Sequence, residues 1–554
     1  MSTDSMSSLK SVGARVRVVA ASLLIVVAAL SVVSTASASK STIPLKHPSK
    51  TLVYAITAFA IDFDPASSYL LAEGLLWGNT YQGLVTYAPG SITKTFGQLA
   101  TSWQENPTKS VWTFHLRPNV HFTDGTPLTA EAVKENFVRT ITIGLGTQAI
   151  LGTYLPHPQS QIVVVNPLTV EFKFTHPVVY FDRILAAEWG PQIVSPRVFT
   201  QHSTGPKDQG HEWLQSHAAP GTGPYEVQSI QPNNEVVLVR NPNYWGGWKG
   251  WHFNKVIVED TSSQSALRED IQTGNADITE AGTPEDTLAL KKAPGIVVSE
   301  EPAIENEYII LGDYGLLKNP DARLALEYAF PYKDWVNDIM KKTVLPMHGD
   351  FPTGLFTANP SISVPTNLQK AKTLFAKAGI KSGTTLTYDF STEEGGGEQG
   401  LVLQAQLAKI GITLKITDLS ASAYISALTT KRPVSRRANM YWWAWDPDYN
   451  DPADNINPTL SSTQTPTQCP CFNSGYYVNK TVQSFINAGF SGSLSTPQYT
   501  ALSDKVQKIL AYTDPPWIST DQEEEILYLR TDIKGYVANP LYILFPNYYA
   551  LHRS

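Results

Sequence analysis

Strand-like and helix-like segments alternate along the chain, and this alternation constrains the fold more than any other feature of the sequence. Residues 111–117 (VWTFHLR) place apolar side chains at every second position, as in a half-buried strand: Trp112, Phe114 and Leu116. Turn residues at 123–127 (TDGTP) interrupt this pattern. Residues 128–141 then have the period of an amphipathic helix, with Thr129 as its expected cap.

The same alternation recurs further along the chain. Residues 234–245 resemble a strand that runs into an Asn-Pro turn, and residues 367–380 resemble an amphipathic helix that closes in glycine. Strands that alternate with helices predict an α/β protein, and 554 residues are enough for several domains. The sequence has no repeat of fixed period and no low-complexity linker.

The N-terminal residues have the three-part build of a secretory signal peptide. A basic stretch (8–17) precedes an apolar run (18–33), and small residues follow with an A-x-A-like site, ASA, at 36–38. We therefore expect residues 1–38 to be removed and the mature protein to be extracytoplasmic. An uncleaved anchor helix is the alternative, although the apolar run is shorter than the ~20 residues that span a bilayer. No cysteine near this segment offers a lipid attachment site.

Charge and cysteine content argue against several other classes of protein. The net charge is −7 and the basic residues are scattered, whereas nucleic-acid binding needs a clustered basic face, so we expect no nucleic-acid partner. The two cysteines, Cys469 and Cys471, form a C-x-C pair. Export favours their oxidation, but the ring is tight, so a local disulfide and two free thiols both stay open. The pair offers too few ligands for a metal site, and we expect no metal or cofactor.

Two motifs resemble known sites but have the wrong surroundings or spacing. Gly395, Gly397 and Gly400 fit the dinucleotide pattern G-x-G-x-x-G between a predicted strand and a predicted helix. The glutamates at 393–394 would repel a pyrophosphate, so we interpret the motif as a βαβ connection. The two histidines of residues 211–217 (HEWLQSH) are too far apart for the i, i+4 pair of a zinc protease, which indicates a surface segment.

Aromatic rings and carboxylates are densest at residues 441–452 (YWWAWDPDYNDP). A glycosidase would need two carboxylates that face each other across a substrate. A calcium loop would need a glycine and a terminal glutamate that this segment lacks. A proline-rich turn with buried tryptophans is the structural alternative. The candidate binding residues of the segment are Trp443, Trp445, Asp446 and Asp448.

Several widely separated segments resemble the extracytoplasmic solute-binding proteins of peptide-type ABC importers, the dipeptide/oligopeptide/nickel-binding family. The segments that carry the resemblance are 111–139, 221–247, 267–278, 319–330, 369–380, 404–416, 472–482 and 532–540. The resemblance implies an α/β, two-lobe periplasmic-binding-protein-like fold (type II, cluster C), with a hinge and an extra subdomain in the first lobe. The expected bounds are 39–84, 191–305 and 521–554 for the first lobe, 85–190 for its extra subdomain, and 306–520 for the second lobe.

The resemblance also implies a binding site between the lobes. Residues 445–452 (WDPDYNDP) are similar to the family segment W-x-x-D-Y-x-[DE]-P, whose aspartate receives the α-ammonium group of the ligand in peptide-binding members. That aspartate corresponds to Asp448, and Trp445 is the matching tryptophan. A closed cleft excludes water, and charge-assisted hydrogen bonds there are stronger than neutral ones. A weaker match at 64–84 implies that Tyr69 and Leu71 edge the cleft.

The function that the resemblance implies is capture of a peptide, or a similar amine-bearing solute, and its delivery to an ABC permease. We expect a monomer that performs no chemistry. No arginine is clearly placed for a peptide carboxylate; Arg432, Arg436 and Arg437 are candidates by proximity in the sequence only. One alternative is the same fold binding an oligosaccharide on stacked tryptophans. Another is a secreted carbohydrate hydrolase that uses Asp446 or Asp448 with a distant acid.

Overall fold

The computed structural model describes the chain from residue 43 onward, with short gaps. The described ranges are 43–57, 62–67, 71–261, 263–347, 349–392, 395–469, 471–542 and 544–554. The expected signal peptide, residues 1–38, lies outside the described residues. Within the described ranges, no helix combines the length and the apolar character needed to cross a bilayer.

The strands are numbered in chain order and vary from 2 to 16 residues in length. They are β1 (Thr51–Ile56), β2 (Val85–Tyr87), β3 (Thr95–Gly97), β4 (Ala100–Glu105), β5 (Val111–Leu116), β6 (Ile162–Asn166), β7 (Thr169–Lys173), β8 (Tyr225–Gln231), β9 (Glu235–Arg240), β10 (Lys255–Asp260), β11 (Ile278–Glu280), β12 (Ile296–Leu311), β13 (Val344–Leu345), β14 (Thr385–Phe390), β15 (Thr413–Asp418), β16 (Met440–Trp445), β17 (Trp517–Arg530), β18 (Ile533–Lys534) and β19 (His552–Arg553).

The helices connect these strands and are numbered in the same way. They are α1 (Leu71–Thr80), α2 (Ala130–Ile143), α3 (Gln148–Leu151), α4 (Pro158–Gln161), α5 (Phe181–Leu185), α6 (Arg197–Gln201), α7 (His211–Leu214), α8 (Gln264–Thr273), α9 (Pro284–Leu290), α10 (Pro320–Ala329), α11 (Tyr332–Asp334), α12 (Leu368–Lys377), α13 (Gly397–Ala408), α14 (Ala421–Thr429), α15 (Pro452–Leu460), α16 (Lys480–Ser491) and α17 (Thr496–Tyr512). Short 3₁₀ helices at Gly315–Leu317 and Val434–Arg436 and a π-helical turn at Trp335–Ile339 complete the set for the described ranges.

A large mixed sheet organises the described chain. Ten of its 11 strands follow the order β15-β14-β16-β12-β17-β11-β1-β10-β9-β8, and the remaining strand, β13, pairs with β17. β1 runs parallel to β10 and β11, and β14 runs parallel to β15 and β16, whereas β12 is antiparallel to both its neighbours. Parallel strands need long crossovers, which the helices supply. This mixed arrangement confirms the predicted α/β class.

Two large apolar cores and two smaller apolar clusters of described residues lie against this sheet, and strand alternation assigns side chains among them. Members of the larger core include Leu52, Tyr54, Trp77, Phe114 and Tyr308. Members of the smaller core include Ile309, Leu311, Leu386, Tyr388 and Leu403. Consecutive residues of a strand point to opposite faces, so Tyr308 and Ile309 of β12 enter different cores.

A separate four-stranded sheet, ordered β4-β5-β7-β6, packs against α2. It confirms the predictions for residues 111–141. β5 covers the alternating segment, and α2 begins after Thr129, whose side chain accepts a hydrogen bond of 3.1 Å from the backbone N–H of Ala132. Val133 and Phe137 of the apolar face are fully buried.

The glycine-rich segment is a βαβ connection, as the sequence indicates: β14 and β15 are parallel neighbours joined by α13. Gly395 and Gly396 have no side chain, and the indole ring of Trp442 packs against them. A Cβ atom on Gly396, which has φ +90°, would lie 2.3 Å from Cβ of Trp442, and one on Gly395 would lie 2.7 Å from the same indole. The hydroxyl of Tyr388 donates to the carbonyl of Gly396 over 2.6 Å.

Residues 211–217 lie mostly at the surface, as predicted, but His211 joins a buried ion pair. Arg139 donates to both carboxylate oxygens of Asp64, at 2.8 and 2.5 Å, and Nδ1 of His211 lies 2.8 Å from Asp64 Oδ2. Burial alone would raise the pKa of Asp64, but these two partners lower it. The contacts tie α2 and α7 to the segment that precedes α1.

Cys469 and Cys471 are joined by a disulfide, one of the two alternatives that the sequence leaves open. The bridge lies in the connection between α15 and α16, where Asn473 organises the backbone. The Asn473 side chain donates to the carbonyls of Ser461 and Tyr477, at 3.0 and 2.9 Å. The disulfide therefore closes a small ring within a connection that hydrogen bonds already hold.

Candidate binding cleft

Strands β12 and β17 are the longest in the sheet, and their pairing breaks near the middle. Residues 296–302 of β12 pair with 524–530 of β17, and residues 306–310 pair with 517–522. Residues 303–305 fall outside this register, and the N–H of Ile304 donates instead to Pro540 over 2.9 Å. The break divides the sheet into a half with β14–β16 and a half with β1 and β8–β11.

An acidic cavity of about 380 Å³ lies at this break. Six glutamates from three strands contribute to its lining: Glu280, Glu305, Glu307, Glu523, Glu524 and Glu525. Its apolar lining includes Trp442, Ala444 and Leu544. Among the described residues that line it, none is lysine or arginine. A larger cavity, of about 890 Å³, is lined by other residues around Tyr332 and Asp350 and includes no residue of the 441–452 segment.

Three carboxylates on β12 and β17 come especially close together. Carboxylate oxygens of Glu307, Asp521 and Glu523, here called the hinge carboxylates, lie within 4.8 Å of one another. Two unit charges at that distance repel by about 3 kcal/mol at an effective dielectric constant of 20. Burial, and then the neighbouring negative charges, raise the pKa of Asp521 and Glu523 well above the ordinary range. This repulsion favours bound protons or a bound cation at the hinge carboxylates.

Neighbouring side chains hold the hinge carboxylates in place. Glu307 accepts hydrogen bonds from the side chain of Gln399 and from the indole N–H of Trp442, the latter over 3.3 Å. Asp521 is fully buried, and its Oδ1 accepts a bond of 2.6 Å from the indole N–H of Trp335. Asp521 Oδ2 has no hydrogen-bond partner within the described part of the chain.

Glu525 lies on the same strand, beyond the break in pairing. Its side chain is 3% exposed, and Oε1 accepts hydrogen bonds from Tyr536 and, over 3.2 Å, from the N–H of Leu544. Burial raises the pKa of Glu525 to about 7. Its Oε2 has no partner among the described residues. Glu525 is therefore partly protonated near neutral pH.

Acidic groups extend from the cavity toward residues 441–452. Glu188 is 6% exposed, and neither of its carboxylate oxygens has a hydrogen-bond partner in the described ranges. Its pKa is raised well above the ordinary range by burial and then by Asp446, Glu525, Glu305 and Asp448, in that order. Burial also raises the pKa of Asp446 to about 6. Asp446 links the two regions, because its charge also raises the pKa of Glu305.

The tryptophans of this segment are divided between the two faces of β16. Trp445 is opposite Asn306 and Trp443 is opposite Tyr308 on β12, so these two rings share a face. Trp443 is half-buried and stacks on Phe472, with ring centroids 4.9 Å apart. The indole N–H groups of Trp443 and Trp445 are buried and have no hydrogen-bond partner in the described residues.

Asp448 follows β16 in a tightly bonded turn. It is 8% exposed, and its backbone N–H donates to Oδ2 of Asp454 over 2.8 Å. Asp451 caps α15 by accepting from the N–H of Ala453 over 2.8 Å. Asp451 therefore has a structural role, which leaves Asp446 and Asp448 as the candidate ligand groups of the segment.

A contact between distant parts of the chain lies beside Asp448. The hydroxyls of Tyr154 and Tyr449 are 2.8 Å apart, and the ring of Tyr154 also lies against Phe490, with centroids 6.2 Å apart. Tyr154 follows α3, close to the four-stranded sheet, whereas Tyr449 and Phe490 belong to the half of the chain with β16. Asp448 is thus near the place where these two parts meet.

Comparison with known proteins assigns the chain to a protein family. The sequence profile of the bacterial extracellular solute-binding proteins, family 5, middle region, matches residues 94–467. The chain belongs to this family. It is 28% identical over 507 residues to DdpA of Escherichia coli K12, a probable D,D-dipeptide-binding periplasmic protein, covering 90% of this chain and 94% of DdpA. It is 25% identical over 497 residues to the glutathione-binding protein GsiB of Salmonella typhimurium, covering 89% and 92%.

Solved structures of family 5 proteins share the fold. DppA of Helicobacter pylori, in complex with the peptide STSA, superposes with a TM-score of 0.75 at 23% identity and covers 91% of this chain and 98% of its own. A dipeptide-binding protein from Pseudoalteromonas in complex with Met-Leu gives a TM-score of 0.76 at 18% identity, with 91% and 100% covered. At these identities the likeness establishes the fold, which confirms the expected two-lobe class.

The structure places some of the predicted site residues of this family 5 solute-binding protein and not others. Asp448, Asp446, Trp445 and Trp443 lie together at the end of β16, whereas Tyr69 lies outside the described residues. Leu71 opens α1, but its side chain is also outside the described part. The structure brings Asp446 and Asp448 to the acidic region, while Trp443 turns toward Phe472.

Two of the three arginines considered for a ligand carboxylate have partners elsewhere. Arg437 packs 3.5 Å from the ring centroid of Tyr476, and its Nε donates to the carbonyl of Arg432 over 2.8 Å. Arg432 in turn donates to the hydroxyl of Ser426 over 3.4 Å. Arg436 lies in the short 3₁₀ helix, and none of the three lines the acidic cavity.

Sequence reasoning missed the carboxylates of β12 and β17. Residues 521–530 (DQEEEILYLR) end in a clear apolar strand pattern, so the acids before it belong to the same extended segment. Glu523 and Glu525 are two residues apart and therefore share a face in a strand. That pairing of like charges on a buried strand was the available signal.

Proposed function

We propose that this protein is the extracytoplasmic substrate-binding component of an ABC importer and captures a peptide or similar amine-bearing solute between its lobes. The observation that carries the proposal is the acidic cavity, lined by six glutamates and by no lysine or arginine of the described chain. When water is excluded, carboxylates at this density are stabilised by bound protons or by a positive partner, and the ammonium group of a solute can supply the latter. The names of relatives agree in class, because DdpA is described as dipeptide-binding and the Helicobacter DppA structure contains a peptide.

Asp448 is the proposed anchor for the ammonium group of the solute. Its burial, and the rise that its charge causes in the pKa of Glu188, support this assignment. An ammonium group held there gains hydrogen bonds that are charge-assisted on both sides. Asp446 would add negative potential, and Trp445, Trp443, Tyr69 and Leu71 would form or support the cleft wall.

The proposed lobes follow the bounds expected from the sequence: 39–84, 191–305 and 521–554 for the first, with its subdomain at 85–190, and 306–520 for the second. The break in pairing between Pro302 and Asn306 on β12 supports a hinge close to residue 306. Tyr154 and Tyr449 would then meet when the lobes close. A permease would recognise the closed form, and we propose that the protein acts as a monomer without catalysing a reaction.

Two features argue against the oligosaccharide alternative. Trp443 stacks on Phe472, which covers one face of its indole and reduces the ring area on which a sugar could stack. Neutral hydroxyl groups would also leave the carboxylates of the acidic cavity without a counter-charge. The carbohydrate-hydrolase alternative has no support from family membership, since the family consists of solute-binding proteins.

The test uses ligand-free protein and a mixture of peptides of two to five residues, half of it acetylated at every amine. Mass spectrometry of the retained peptides should find only the free-amine half. Asp448→Asn should weaken binding of a retained peptide by about 2–5 kcal/mol in calorimetry, because one partner of a buried charge pair is removed. The exposed Asp338→Asn serves as the matched control and should bind like wild type. Equal retention of acetylated peptides, or full affinity in Asp448→Asn, would refute the proposal.

A further inference from the structure

We propose that the acidic cavity takes a second positive group of the solute, so that the natural cargo carries at least two cationic groups. Suitable cargo is an oligoamine or a peptide with a basic side chain. The inference rests on the proposed function, because it assigns the first ammonium group to Asp448. It goes further by assigning a separate subsite to the hinge carboxylates Glu307, Asp521 and Glu523.

The first argument is the negative charge of the side chains that line the cavity. Six glutamates contribute to it, and the described lining residues include no positive side chain to compensate them. A carboxylate-bearing part of a ligand would be repelled from this cavity, whereas an ammonium or guanidinium group would relieve the repulsion among the glutamates. A single cation at Asp448 would leave the hinge carboxylates without a positive group among the described residues that line the cavity.

The second argument comes from polar atoms that already lack a partner. Asp521 is fully buried, its oxygen lies within 4.8 Å of oxygens of Glu307 and Glu523, and Oδ2 accepts no hydrogen bond from any described residue. Glu525 lines the cavity and is 3% exposed, and its Oε2 likewise accepts no hydrogen bond from any described residue. Buried acceptors without donors are rare in folded proteins; Glu525 lines the cavity, and Asp521 lies beside the lining residues Glu307 and Glu523.

The third argument is continuity between the two proposed subsites. Both oxygens of Glu188 are buried without a partner in the described chain. The charges of Asp446, Asp448 and the cavity residues Glu305 and Glu525 all raise the pKa of Glu188, so Glu188 interacts with both groups of carboxylates. Negative groups therefore run from the anchor to the cavity, and a solute with separated positive charges would follow them.

Volume favours an organic cation over a bare metal ion. A cavity of about 380 Å³ is more than ten times the ~30 Å³ that a water molecule occupies in the liquid. It falls instead within the range of ~300–1,000 Å³ that is typical of small-molecule sites. The end of an aminoalkyl chain fits this space, whereas a lone divalent ion would leave most of it empty.

The test compares two peptides that differ by one charge: Lys-Ala-amide, with two ammonium groups, and norleucyl-Ala-amide, with one. Calorimetry on ligand-free, full-length mature protein should show at least tenfold tighter binding of the lysine peptide. The double variant Glu307→Gln/Glu523→Gln should remove that preference, so that the lysine and norleucine peptides bind with the same affinity. Glu269→Gln, an exposed change on α8, controls for general surface charge and should retain the full preference. Circular dichroism and the single variant Glu307→Gln show whether a loss reflects the site or the fold.

Each outcome separates this inference from the proposed function. Equal affinity of the two peptides in wild type, or no detectable binding of the lysine peptide, overturns the second subsite. Tight binding of Mg²⁺, Ca²⁺ or Ni²⁺ alone, lost in the double variant while lysine gives no advantage, also overturns it and assigns the hinge carboxylates to an inorganic ion. Failure of the proposed function looks different, because Asp448→Asn would then leave the affinity of both peptides unchanged.

Discussion

Replacing Glu525 by glutamine should change how the stability of the ligand-free protein depends on pH. Glutamine keeps the size of the side chain and the Oε1 acceptor that Tyr536 and Leu544 use, but it cannot ionise. Burial raises the pKa of Glu525 from 4.5 to about 7 in the folded protein. That difference corresponds to about 3 kcal/mol, at about 1.36 kcal/mol per pKa unit.

The sign follows from proton linkage. A carboxyl whose pKa is raised by folding binds more protons in the folded state, so its contribution to stability is complete below pH 4.5 and is lost as the pH rises through 7. Between pH 5 and pH 8 the Glu525 carboxyl should lower the free energy of unfolding of the wild type by about 2–3 kcal/mol. The glutamine variant should lack this loss.

Urea unfolding of both proteins at pH 5 and pH 8, followed by tryptophan fluorescence, measures the effect. The variant should gain about 2–3 kcal/mol relative to wild type on going from pH 5 to pH 8. Exposed Glu269→Gln should show no such gain. If Glu525→Gln and wild type lose the same stability over this range, Glu525 is ionised at little cost and the electrostatic description of the acidic cavity is wrong.

Three further changes test the fold around the cleft. Arg139→Met should cost about 3–5 kcal/mol of unfolding free energy, because it leaves a buried carboxylate without its guanidinium partner. Gly396→Ala should cost about 1–3 kcal/mol, since a Cβ there meets Trp442, whereas Gly379→Ala, also at positive φ but with no heavy atom within 4 Å, should cost less. Reduction of the 469–471 disulfide should cost at most about 2 kcal/mol, because the ring it closes is short. Urea unfolding measures each change, and a reversed order of the two glycine variants would contradict the packing assigned to Gly396.

Local patterns in the sequence predicted local structure well. The strand at 111–116, the Thr129 cap and the βαβ unit around Gly397 depend on residues close in sequence, where alternation and capping chemistry act directly. The contact of Gly395 and Gly396 with Trp442 could not be predicted from the sequence, because it depends on the pairing of β14 with β16.

The acidic cavity depends on contacts between distant residues. Glu307 is opposite Asp521 on the neighbouring strand, at a separation of more than 200 residues, and no local pattern specifies that register. Glu188 reaches the same region from the connection after α5. Asp448 could be proposed from its own segment through a family resemblance, but the carboxylates around it became visible only when the strands were paired.

The division of the tryptophans shows a similar limit. The sequence shows three tryptophans within residues 442–445, and alternation along β16 sends Trp442 toward Glu307 and Trp443 toward Phe472. The alternation itself was predictable once the segment was taken as a strand. The partner on each face was not, because β12 and residue 472 lie far away in the sequence.

A crystal structure of the protein with a retained free-amine peptide would test the central claim most directly. The account predicts an ammonium nitrogen of the ligand within about 3 Å of a carboxylate oxygen of Asp448, inside a closed cleft. A bound solute whose amine lies elsewhere, with Asp448 turned into bulk water or engaged by an arginine of the protein, would contradict it.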